Sequence, residues 1–124
     1  MVKIQEGQGK YEVTLQTVKS GEDLTVIIHG GEKPHIGAIA VSIPRPSLKN
    51  VAIMSATTSV ITLVGHKEDD LAKEIAEDIT KITGRTTIVI AGLHINQASP
   101  KDIDILISNV NKLVNKLKNL LKRN

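Results

Sequence analysis

Between residues 103 and 121, apolar side chains return at steps of three and four: Ile103, Leu106, Val110, Leu113, Leu117 and Leu120, with Ile107, Val114 and Leu121 widening the stripe. That period is α-helical, and such a stripe must be buried against something. Ser99-Pro100-Lys101-Asp102 supplies the start, with Ser99 as N-cap, Pro100 at the first helical position and Asp102 closing a capping box. About 22 residues at 1.5 Å each span roughly 33 Å, longer than a small domain strictly needs. The stripe therefore either covers its own sheet or extends into a seam with a second subunit.

Most of the chain before it reads as strand. In YEVTLQT (11–17) Tyr11, Val13 and Leu15 alternate, and Leu24 to Ile28 is a second strand, so the two predict a hairpin around Gly21. Residues 36–43 put small Ala38, Ala40 and Ser42 on one side and bulky Ile39, Val41 and Ile43 on the other. Pro44 and Pro46 are expected to end that strand. VAIMSA (51–56) and SVITLV (59–64) predict a further hairpin turning at Thr57-Thr58. Leu71, Ile75, Ile79 and Ile82 predict a helix over about 67–83 with Gly84 as its C-terminal cap, and TTIVIAGL (86–93) a central strand. The pattern predicts an α+β fold: two layers, a mostly antiparallel sheet of five or six strands with two helices on one face, over a single domain of residues 1–124.

Composition narrows the function. Tyr11 is the sole aromatic residue, so a planar ligand finds few stacking partners, and with no cysteine there is no thiol nucleophile or zinc ribbon. The net charge is +3, and beyond Asp104 the charged residues are Lys112, Lys116, Lys118, Lys122 and Arg123. They fit a solvated helix end better than a nucleic-acid surface, which would bring a wider basic face and stacking aromatics. No run suits a membrane span, and MVKIQEGQGK lacks the apolar centre of a signal peptide, so the expectation is a cytoplasmic protein.

The candidate chemistry lies in the histidines. His29, His35, His66 and His94 all stand where a strand meets a loop, beside Gly30-Gly31, Pro34, Gly65 and Gly92. Their placement predicts one shared site, in which imidazoles could hold a metal, donate to an anion or act as acid and base. No recognised metal-ligand spacing is present. Gly65 and His66 precede a helix whose first N–H groups form an anion site, with Lys67 adding positive charge and Glu68, Asp69 and Asp70 opposing it. Arg45, in PRPSL, is a second anion candidate. Ser55, Thr57, Thr58 and Ser59 read as turn residues rather than nucleophiles.

GGEKPHIGAIAVS, GHKEDDLAKEIA, AGLHINQAS and the amphipathic tail together resemble the prenylated-flavin chaperone, or LpdD-like, domain family over about residues 10–121. The resemblance implies a small non-catalytic protein that binds prenylated FMN and helps deliver or mature it for UbiD-type decarboxylases. The matching positions are Gly30, Gly31, Pro34, His35, Ile36 and Gly37; Gly65, His66, Lys67 and Glu68; and Gly92, His94 and Asn96. Chemistry alone then nominates Gly30, Gly31, His35, Gly65, His66, Lys67, His94, Asn96 and Arg45 as cofactor-binding. On that reading the phosphate sits at the start of the first helix and the ring system near His35 and His94. Two other readings stand beside it: a small histidine-based metal-dependent or acid–base enzyme, and a structural homo-oligomer.

Overall fold

The computed structural model describes residues 2–63 and 68–122. Strands β1 (Lys3–Glu6), β2 (Val13–Ser20) and β3 (Asp23–Gly31) run as an antiparallel meander, with Ser20 opposite Asp23 across a two-residue turn at Gly21-Glu22. Strands β4 (Ala38–Pro46) and β5 (Met54–Thr62) form a second hairpin, followed by helix α1 (Glu68–Thr83). Strand β6 (Thr87–His94) then enters between the two hairpins, parallel to β3 and antiparallel to β4, and helix α2 (Pro100–Lys122) follows. The result is a six-stranded sheet of order β1-β2-β3-β6-β4-β5 with two helices, the expected α+β fold.

Both helices lie on one face, α1 over β4, β5 and β6 and α2 over β1, β2 and β3. Alternation decides what they cover. Val13, Leu15, Leu24, Val26, Ile28, Val89 and Ala91 point into the core, where α2 meets them with Leu106, Val110, Leu113 and Leu117. The α2 stripe considered as a subunit seam is thus turned onto its own sheet, and only its margins, Ile103 and Leu120, stay exposed. On β4, Ala38, Ala40 and Ser42 are fully buried, as are Ala72 and Ala76 of α1, so small residues on both elements let helix and strand approach closely. The Thr80 hydroxyl donates to the Ser42 carbonyl at 3.2 Å across that contact. Gly84, at φ 68, caps α1 by donating its N–H to the Thr80 carbonyl. The Ser99–Asp102 capping box forms in both directions, at 3.1 and 3.0 Å. Among the described residues no helix is long and apolar enough to cross a membrane.

The strands depart from the sequence reading in three places. Residues 51–56 and 59–64 are not two strands: Met54–Thr62 is one, running straight through Thr57-Thr58. Two β-branched residues favour extended backbone, and the turn falls instead at residues 47–53, where Asn50 accepts from Ile53 N–H and Ala52 N–H. Pro44 and Pro46 do not end β4. The Ser47 N–H donates to the Ile53 carbonyl just ahead of β5, so the alternate positions 44 and 46 face the other side, where pairing with β6 has already stopped at Ser42 and no donor is needed. Strand β1 was unread because KIQE carries one apolar residue. Tyr11 lies in a 3-10 turn (Gly9–Tyr11) ahead of β2 rather than in the strand.

Candidate functional site

Because β3 and β6 are parallel and β4 is antiparallel to both, Gly31, His94 and the start of β4 at Ala38 come to one end of the sheet. The N-terminus of α1 arrives at the same end with Glu68, which is only 6% exposed. Gly37 makes room for it: the space a Cβ would take there is filled by the Glu68 carboxylate. Glu68 Oε1 accepts the Leu93 N–H at 3.2 Å and lies 3.7 Å from His35 Nε2. Its Oε2 is buried and has no hydrogen-bond partner among the described residues. A buried carboxylate oxygen left without a donor is costly and calls for an explanation.

The two loops at this end are clasped together. Gly31 takes φ 83, and the His94 carbonyl occupies the side where a Cβ would stand, accepting from Glu32 N–H at 2.7 Å and Lys33 N–H at 3.3 Å. Asn96 N–H donates to Glu32 Oε1 at 3.0 Å, and His94 Nε2 contacts Asn96 Oδ1 at 3.1 Å. His35 Nδ1 donates to the Lys33 carbonyl at 3.1 Å, which fixes its proton on that nitrogen. Nε2 then faces the Glu68 carboxylate. The His35 and His94 rings stand edge to face, centroids 6.2 Å apart.

Beside them a cleft of about 800 Å³ opens between the start of α1, the β6–α2 connection and α2. Leu71, Leu93, Ile95, Ile103, Leu106 and Ile107 make its walls aliphatic; Glu68, Asp69, His94 and Gln97 supply polar atoms. Neither Lys nor Arg is among the described lining residues. Gln97 takes φ 51, a left-handed conformation that side chains adopt rarely and that clusters at functional sites.

Of the nominated residues, His35, His94 and Asn96 come together at this end. His29 lies on β3 opposite Gly92, two residue pairs further in than Gly31 and His94. Gly30 and Gly31 are close to the protein's own backbone, at Glu12–Val13 and His94, rather than presenting open backbone to a ligand. Arg45 stands near the opposite end of β4, bound to Thr57 Oγ1 at 2.7 Å and the Pro46 carbonyl at 3.0 Å. Gly65, His66 and Lys67 lie outside the described residues. Among the described residues no three His, Asp or Glu side chains are grouped to hold a metal ion. The sequence reading set Glu68 among the acids opposing an anion at the helix start and among the positions matching the family, but not among the cofactor-binding residues; the structure buries it against Gly37, a glycine with no turn to serve.

The sequence profile of the prenylated flavin chaperone LpdD-like domain matches residues 7–122. The chain belongs to that family. No curated protein matches it in sequence. Among solved structures, a chaperone complex for yeast 20S proteasome assembly superposes with a TM-score of 0.53 at 16% identity, covering 98% of this chain and 95% of the other. At that identity the likeness concerns the fold alone. In the LpdD-like chain the cleft, Glu68 and the clasped histidine loops sit together at one end of that fold.

Proposed function

We propose that the chain is a cytoplasmic carrier that binds prenylated FMN in the cleft beside α2 and delivers or matures it for a UbiD-type decarboxylase. Membership of the prenylated flavin chaperone family supports the cofactor. The observation that carries the location is Glu68, whose unpartnered Oε2 is buried beside an aliphatic cleft of about 800 Å³. The residues present fit such a group. Aliphatic walls accept isoprenoid carbon and the hydrocarbon edge of a flavin, and a carboxylate accepts the flavin imide N–H. With no Phe, Tyr or Trp among the described lining residues, apolar contact and hydrogen bonds hold the ring rather than stacking. The described lining bears Glu68 and Asp69 and no cation, so the phosphate dianion stays at the mouth. Assigning it to Gly65, His66 and Lys67 rests on the sequence alone.

Titration of prenylated FMN, followed by visible absorbance, tests this reading in a chain with one Tyr and no Trp. Ile103→Trp fills the cleft from its exposed rim, and Glu68→Gln replaces one acceptor oxygen with a donor. Both are expected to weaken binding at least about tenfold, the scale of a lost charge-assisted hydrogen bond. Wild-type protein that binds no prenylated FMN defeats the proposal, and equal affinity in both variants moves the site elsewhere. Activation of a cofactor-free decarboxylase by the loaded chain, faster than by free cofactor, tests delivery.

A further inference from the structure

The helices cover one side of the sheet and leave the other bare. The strand registers set isoleucines in line across that bare side: Ile27 of β3 pairs with Ile90 of β6, Ile90 with Ile39 of β4, and Ile39 with Ile61 of β5. A second row, Thr25, Ile88, Val41 and Ser59, runs beside it. Next to these, Ile43 is 53% exposed, and Ile61 is 59% exposed. The alternation that places Ala38, Ala40 and Ser42 under α1 therefore places every bulky residue of that stretch of β4 outside. A monomeric protein seldom leaves so continuous an apolar patch in water.

We infer that this face seats a second copy of the same chain, sheet against sheet about a two-fold axis, with the helices of both copies outward. Three features choose that occupant. Apart from Thr25 and Ser59 the rows are β-branched aliphatics, without aromatic or charged anchors, the surface that meshes with its like when sheets stack. The face's charged residues, Lys3, Asp23 and Arg45, stand at strand ends or on the edge strand and carry both signs, so a two-fold mate leaves them in water while a strongly charged partner finds nothing to pair. The five strands of eight or nine residues, at about 4.8 Å spacing and about 28 Å long, give roughly 700 Å² per copy. Stable interfaces need about 800 Å² per partner. The β4–β5 hairpin runs past the end of the β4–β6 pairing and its tip carries Leu48 and Val51, 90% and 82% exposed, which extends the apolar surface beyond the chain's own sheet. The cleft lies on the helix side, so it stays open in both copies.

Light scattering after size exclusion reads the outcome. Wild type is expected at twice the chain mass. Ile39→Lys with Ile88→Lys is expected at the single-chain mass with an unchanged far-ultraviolet circular dichroism spectrum. Leu120→Lys, on the outer margin of α2, is expected to leave the dimer intact. If the double lysine variant fails to fold, Ile43→Ser with Ile61→Ser, both more than half exposed, is expected to raise the dimer dissociation constant at least about tenfold. A monomeric wild type overturns the inference. So does a dimer whose dissociation constant ignores the sheet-face changes, or one that separates on the α2 change.

Discussion

Tyr11 and Asp102 stand 91 residues apart in sequence, and the phenol donates to the carboxylate at 2.6 Å. The same carboxylate closes the α2 capping box with Ser99, so a single acid both starts the helix and ties it to the turn before β2. The Tyr11 hydrogen bond, followed by the Ser99 N–H, lowers the Asp102 carboxyl from 3.8 to about 2, and the acceptance by Asp102 raises the Tyr11 phenol above its ordinary value.

Tyr11→Phe is therefore expected to lower the melting temperature at neutral pH. A depressed carboxyl contributes stability above its unfolded value and loses it as pH falls through the folded one. Melting curves of wild type and variant should converge as pH drops from about 4 toward 2. At the alkaline end the raised phenol contributes below its ordinary value and ceases to as pH climbs through the folded one. A gap of constant width from pH 7 to 2 would show that the loss is packing alone.

Thr80→Val keeps shape while removing the buried hydroxyl that donates to the Ser42 carbonyl. The expected loss is about 1–2 kcal/mol by urea denaturation, the cost of a broken buried hydrogen bond. A neutral result would mean that the close α1–β4 contact stands on its small residues without that bond.

Gly37→Ala puts a methyl group where the Glu68 carboxylate lies. The single variant is expected to lose roughly 1–3 kcal/mol. Combining the added methyl with loss of the carboxylate, in Gly37→Ala with Glu68→Ala, should cost less than the two separate losses added, with a coupling of at least about 0.5 kcal/mol. Additive losses would place the two residues out of contact.

Leu117→Ala should cost about 2–5 kcal/mol by leaving a cavity against the sheet, while Leu120→Ala, a few residues on, should cost under about 1 kcal/mol. The contrast checks which edge of the α2 stripe carries the packing.

How much was legible in the sequence follows from where the signal was local. Both helices, their caps and the β2–β3 hairpin were written in periodicity and capping chemistry within a few residues. Strand β5 is hidden in the sequence because Thr57-Thr58 suits a turn as well as a strand and only Asn50 makes the turn, and β1 is hidden because an edge strand needs little hydrophobicity. At the site, His35, His94 and Asn96 were legible as strand-end residues. Glu68 was not, because acids are ordinary in a first helical turn, and only the tertiary approach to Gly37 buries this one.

The placement of β6 between two hairpins sets an order of events for folding. The β1–β2–β3 meander and the β4–β5 hairpin each form from neighbouring sequence, but the ladder from Leu24 to Thr87 through Gly31 to His94 closes a long loop and unites two otherwise separate half-sheets. A chain emerging from the ribosome short of residue 94 would expose the inner edges of β3 and β4 as unpaired backbone. Cooperativity, and escape from edge-to-edge aggregation, should therefore arrive together and late, with the rate set by that one long-range closure.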